Sequence, residues 1–135
     1  MNGKKRFLAV MQDKQPDRTP VFPLLMDFAA NRLGITYKEF TSNGNSMAKA
    51  QLKIQEMFGL DAVTACSDAF RISIDLGGEA VFPEDTPPYI SKPLIKTESD
   101  LRKLSKPDPA ESKSRMYDRA KGVEEMVEHV GDSCA

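Results

Sequence analysis

Residues 58–68 read Phe58-Gly59-Leu60-Asp61-Ala62-Val63-Thr64-Ala65-Cys66-Ser67-Asp68, and their order decides the fold class. Gly59 is the kind of residue that ends a helix, because it enters the left-handed region without steric cost. The run from Asp61 to Cys66 follows at once and reads as a buried strand, with the polar pair Ser67-Asp68 at its carboxyl end. A helix that stops on glycine and passes directly into a buried strand has the rhythm of a parallel α/β fold.

Working upstream, Met47, Ala50, Ile54, Met57 and Phe58 form one apolar stripe at helical spacing, with Asn45 or Ser46 as its cap. A shorter helix over residues 35–40 follows Gly34. Before it, Val21-Phe22-Pro23-Leu24-Leu25-Met26 is a continuous apolar run between turn residues. It reads as a first buried strand, shortened or bulged at Pro23. The two strands and the helices between them make one crossover unit. Residues 4–14 read as an amphipathic helix through Phe7, Val10 and Met11, stopped by Pro16-Asp17-Arg18-Thr19-Pro20.

Downstream, Gly77-Gly78 breaks the chain, and Ala80-Val81-Phe82-Pro83 and Tyr89-Ile90 are extended pieces that can pair as a hairpin. Thr97-Glu98-Ser99-Asp100 has the form of a capping box leading into a small helix through Leu104. A last helix begins near Ser112 or Ser114, carries Met116, Ala120, Val123, Val127 and Val130 as its stripe, and ends at Gly131. A third strand is due after it, where residues 132–135 stand. The expectation is an α/β chain in which residues 1–135 are the N-terminal portion of one barrel domain. It would be an incomplete (β/α)8 TIM barrel holding only the first βα units, since a full barrel takes roughly 250 residues. Open strand edges and apolar helix stripes then predict self-association.

The charge balance, 19 basic against 20 acidic residues, excludes the electrostatic footprint of a nucleic-acid binder. The basic start, Lys4-Lys5-Arg6, is followed only by the short apolar stretch 7–11, too little for a signal peptide or membrane span. Two cysteines without a CxxC pair fit a reduced, cytoplasmic setting.

No Gly-rich phosphate loop, HExxH or CxxC is present. His129, the single histidine, falls near the end of the last helix, where it reads as a solvent-exposed or dipole-facing residue rather than a catalytic one. Cys66 reads as a small core side chain, and the seven methionines as core filling. Asp68 is the candidate catalytic residue, because an acid at the carboxyl end of a parallel strand lies where such folds place their sites. It can equally cap the next helix or stand solvated in a loop. Arg71 can pair with it across one helical turn.

The order of motifs resembles the uroporphyrinogen decarboxylase superfamily. Pro16-Asp17-Arg18-Thr19-Pro20-Val21-Phe22-Pro23 is similar to its PDRxPVxP entry to the first strand, and Phe58-Gly59-Leu60-Asp61-Ala62-Val63 to its FGxDAV step. Ser67-Asp68 followed by Leu76-Gly77 is similar to its SD…LG segment, and Phe82-Pro83-Glu84-Asp85 and Pro107-Asp108-Pro109 occur at familiar places. The resemblance implies a (β/α)8 barrel, either a tetrapyrrole decarboxylase or a methyltransferase moving a methyl group between a corrinoid and a thiol such as coenzyme M. It gives Asp68 the role of the decarboxylase aspartate that faces the pyrrole N–H groups.

The decarboxylase pattern has an arginine-rich RQAGR stretch after its first strand, where this sequence has Leu25-Met26-Asp27-Phe28-Ala29. Without those guanidinium clamps for carboxylates the methyltransferase-like branch is favoured. That branch implies a zinc and a corrinoid for the full-length enzyme, with a small-molecule or corrinoid-protein substrate. Nothing in these 135 residues matches the zinc ligands, so no cofactor is expected in this chain and the isolated chain is expected to be inactive. The alternatives are a divergent decarboxylase of porphyrin biosynthesis and a non-catalytic α/β interaction fragment.

Overall fold

Asn2 accepts a hydrogen bond from the Lys5 N–H and so caps α1 (Gly3–Met11), the first element of the computed structural model, which describes residues 1–135. Helix α1 crosses the amino end of the segment that begins at Asp61. The approach is so close that a Cβ on Gly3 would stand 2.6 Å from the Asp61 carbonyl oxygen. Asn2 also donates to the Asp132 carbonyl at 2.8 Å, which ties the same helix to the last turn of the chain.

Residues 21–25 are extended without a regular ladder, and Met26, expected to finish a strand, opens α2 (Met26–Leu33) instead. The apolar run conceals that helix start. Its signals are Asp27 in the first turn and Gly34, which ends the helix at φ 82°. Helix α3 (Tyr37–Ser42) is capped by Thr36. Helix α4 (Gly44–Phe58) starts earlier than Asn45 or Ser46 would have it, because Asn43 accepts from both their N–H groups. Gly59 closes it at φ 60°, as the sequence predicts.

Residues 61–66 likewise carry no regular strand, so the expected regular parallel strands do not form. Three backbone hydrogen bonds stand in their place. The Asp61 N–H donates to Val21 at 3.0 Å, the Ala135 N–H to Asp61 at 3.1 Å, and the Val63 N–H to Ala135 at 2.8 Å. One residue bonded to two alternate residues of its neighbour is the pattern of a parallel pair. Residues 21, 61–63 and 135 therefore lie side by side. The ladder does not continue along residues 21–25, where Pro23 has no N–H to contribute.

The regular sheet is antiparallel, the hairpin anticipated from the sequence: β1 (Glu79–Val81) pairs with β2 (Tyr89–Lys92), with a register irregularity between Glu79 and Ala80. Helix α5 (Arg71–Asp75) precedes the hairpin, and α6 (Glu98–Leu101) lies between it and the last helix. The Thr97–Asp100 capping box is formed, although α6 is shorter than the sequence implies. Helix α7 (Arg115–Val130) takes Ser114 as its cap and ends at Gly131.

The core is made by helices: Ala29, Ala30, Tyr37, Phe40, Met47, Ala50, Ile54 and Met126 are buried together. Two predicted stripes need correction. Met57 and Phe58 at the end of α4 are half exposed, and so are Val123 and Val127 of α7. The face of α7 that meets α4 carries Gly122 and Met126 instead, because the two helices approach too closely for a larger side chain. Val123 and Val127 line an open apolar cavity of about 280 Å³ with Val63, Ala65, Met126 and Cys134. No helix is long and apolar enough to cross a membrane.

A methyl group at position 122 would sit 2.7 Å from the Gly44 carbonyl oxygen, which is backbone and cannot rotate away. Alanine ordinarily favours a helix over glycine by about 1 kcal/mol, but overpacking costs roughly 1–3 kcal/mol. Gly122→Ala is expected to lower stability in urea unfolding by about 1–2 kcal/mol; an unchanged or raised midpoint would contradict this close crossing.

Candidate functional site

Beyond residue 66 the chain turns sharply, and Asp68 makes the turn: its Oδ1 accepts from the Phe70 N–H at 2.8 Å, just before α5. The other carboxylate oxygen accepts from Ser67 Oγ at 2.8 Å and from Arg115 at 2.9 Å. The Asp68 side chain is only 1% exposed. Asp68 stands at the carboxyl end of the 61–66 segment, but it does not cap the next helix: the cap position of α5 is Phe70, without a side-chain cap bond, and Asp68 only closes the turn before it. The remaining reading, a solvated loop residue, is excluded by its burial.

Arg71 is brought beside Asp68 as expected, with Nε 3.6 Å from Asp68 Oδ2, yet its shorter contacts go elsewhere. Its guanidinium donates to Ser67 Oγ twice (3.1 and 2.8 Å), to the Arg115 carbonyl at 2.7 Å, to Asp118 at 2.8 Å and to the Thr41 carbonyl at 3.3 Å. Five N–H groups are all that an arginine has. A buried guanidinium satisfied at every donor holds α3, α5, α7 and the end of residues 61–66 in one arrangement.

Sequence reading does not find Arg115 and Arg119. Both lie in the first two turns of α7, and both reach Asp68: Arg115 through its carboxylate and Arg119 through its carbonyl at 3.4 Å. Their signal was the i, i+4 spacing of two arginines on one helix face around Asp118. The Arg115 guanidinium also donates to the Thr41 carbonyl at 2.6 Å and lies 4.6 Å from the centroid of the Phe82 ring. Burial pushes Arg115 below the usual arginine range, and the Asp68 charge opposes that shift.

A softer group of side chains stands at the end of residues 21–25. Cys66 Sγ lies 3.7 Å from Met26 Sδ, and the Tyr37 hydroxyl 3.9 Å from the same sulfur. Tyr37 also donates to the Ser67 carbonyl at 3.3 Å. Burial, with Asp27, Asp68 and Cys66 nearby, pushes the Tyr37 phenol up. Cys66 is half-buried rather than enclosed in a core. His129 lies elsewhere, on the exposed side of α7 with Nε2 2.9 Å from Glu56. Cys134 is buried near the amino end of the 61–66 segment, within 3.6 Å of the Leu60 carbonyl. No three His, Cys, Asp or Glu side chains are grouped so as to hold a metal ion.

Comparison with known proteins places these features in a family. The family model for uroporphyrinogen decarboxylase (URO-D) matches residues 2–135. Among solved structures, a methyltransferase from Methanosarcina mazei is similar over 99% of this chain, at a TM-score of 0.83 and 20% sequence identity. The chain spans 40% of the length of that structure. No curated protein matches.

The acid dependence of this region follows from Asp75. Burial raises its pKa, but the N–H groups of Arg115 and Met116 and the Ser114 hydroxyl hold the carboxylate more strongly, so it lies below its ordinary value. A carboxylate with a depressed folded-state pKa stabilises above its unfolded pKa, and that stability is lost as pH falls through the folded value. Asp61 is depressed in the same sense. Stability is therefore expected to be level above about pH 5 and to fall below about pH 4. Asp75→Asn is expected to flatten that acid limb in pH-dependent urea unfolding; an unaltered acid limb would contradict the assignment.

Proposed function

The chain belongs to the uroporphyrinogen decarboxylase family, and from that premise we propose that it forms the N-terminal part of a (β/α)8 barrel enzyme that passes a methyl group from a corrinoid to a thiol. The observation that carries this reading is the group following residues 21–25. Where the decarboxylase pattern needs guanidinium clamps for carboxylates, this chain has the Met26 thioether against Cys66 and Tyr37. These side chains offer no cation to a ring of acidic substituents. The name of the Methanosarcina structure points the same way.

On this reading Asp68 meets the ligand from the carboxyl end of residues 61–66, accepting N–H groups with its carboxylate while Arg71 and Arg115 fix its position. Tyr37 and Met26 line the approach. The residues of this chain do not fit a zinc site: His129 stands on the exposed face of α7, while Cys66 and Cys134 sit at opposite ends of the 61–66 segment. Any zinc and corrinoid would be held by residues outside these 135.

The test joins this chain to the remaining barrel portion of the Methanosarcina mazei methyltransferase. The expected result is thiol-dependent demethylation of methylcobalamin, followed by its visible spectrum, reduced at least about tenfold by Asp68→Asn. The isolated chain is expected to be inactive. Release of CO₂ from uroporphyrinogen by the joined enzyme, with no methyl transfer, would overturn the proposal.

A further inference from the structure

Asp68 stands where parallel α/β enzymes hold their ligands, yet its carboxylate is almost completely covered. Part of the cover is Arg115, which donates to Asp68 and lies against the face of Phe82. Phe82 directly follows β1, so the cover of Asp68 is coupled through one guanidinium to the β1–β2 hairpin. That hairpin pairs with no other strand. It is held to the body of the chain by Phe82, by buried Pro88 and by a link to α3. In that link the Lys38 N–H donates to the Glu84 carbonyl at 3.0 Å, and the Lys38 ammonium pairs with the Glu84 carboxylate at 2.8 Å.

The Lys38–Glu84 ion pair is exposed and so weak in water. The outer surface of the hairpin is open, with Val81 and Tyr89 exposed. On one side the hairpin is anchored, since the Gly77 N–H donates to the Ile74 carbonyl and the Gly78 N–H to the Ser73 carbonyl, both at 2.8 Å, with Gly77 at φ 99° closing α5, and on the other side Pro93 follows β2. The latch itself is incompletely bonded, since Arg115 Nε is buried without a partner.

We propose that residues 79–92 are a lid over Asp68, anchored at the Gly77-Gly78 cap of α5 and latched by Arg115 between the Phe82 ring and the Asp68 carboxylate. Lifting the hairpin withdraws Phe82 and leaves the Arg115 guanidinium bonded to the Thr41 carbonyl and Asp68 alone, so that a ligand can compete with it for the Asp68 carboxylate. The use made of the opening rests on the reading of Asp68 given above, but the movement itself does not.

The test is carboxyl labelling of the intact chain with a water-soluble carbodiimide and glycinamide, followed by peptide mass spectrometry. Asp61, equally buried at the opposite end of the same segment, is the internal control. Phe82→Ala is expected to raise the labelling rate of Asp68 at least about fivefold, and Phe82→Ala with Glu84→Ala further, with Asp61 unchanged. Glu84 is exposed, so Glu84→Ala alone, expected to give a smaller rise at Asp68, serves if Phe82→Ala disturbs folding. An Asp68 rate that stays flat in the variants, or that rises only in step with Asp61, would overturn the lid. Failure of methyl transfer in the joined enzyme would leave this result standing, and a flat Asp68 rate would leave the chemical reading standing.

Discussion

A single buried guanidinium, that of Arg71, organises the end of the molecule where Asp68 sits. Arg71 lies 2% exposed among Ser67, Thr41, Asp118 and the Arg115 carbonyl. Removing a charge from water costs several kcal/mol unless its partners are complete, and here every donor is matched. The consequence is geometric. The turn after residues 61–66 cannot move independently of α3 or α7, so the direction of Asp68 is fixed by groups distant in sequence. Arg115, which bridges Asp68 and the hairpin, is in turn placed because Arg71 holds the first turn of α7 through the Arg115 carbonyl.

The opposite end is organised by a buried carboxylate in the same manner. Asp61 accepts from Arg6 at 3.0 Å, from Arg18 and from the Val21 N–H at 2.8 Å, while Arg6 also grips Asp17. The side chain of Asp61 therefore ties α1, the proline-bounded turn and residues 21 and 61 together, while its backbone bonds Ala135. The two ends are mirror solutions: a cation buried among acceptors where Asp68 sits, and an anion buried among donors where α1 closes the base. Between them α4 and α7 run in the same direction, touching through Gly44 and Gly122.

Much of this was legible in the sequence, and the exceptions have physical causes. Gly59, the Thr97 capping box, the hairpin, and the end of α7 at Gly131 were readable because each depends on local backbone chemistry. The family was readable from the order of short motifs, several of which now have structural roles: Asp17, Arg18 and Asp61 form one charge cluster, and Ser67 and Asp68 another. Helix α2 was hidden because Met26 continues an apolar run whose first part is extended. The buried face of α7 was misassigned because hydrophobic spacing marks its valines, whereas contact with α4 falls on Met126 and on Gly122, which a hydrophobic stripe does not mark. Arg115 and Arg119 escaped notice since their partners lie some fifty residues away, and their i, i+4 spacing does not by itself name those partners. The position of Asp68 at the end of residues 61–66 was legible, but its near-complete burial was not visible from the sequence.

The account depends on Arg71 acting through its charge and its five bonds rather than by filling space. Urea unfolding of Arg71→Met, which keeps much of the volume and removes every donor, tests this most directly. Breaking a buried pair by removing one partner costs about 3–5 kcal/mol, so the variant should lose at least about 3 kcal/mol or be unfolded at 25 °C. A loss under about 0.5 kcal/mol would show that these elements are held together by something other than the buried guanidinium.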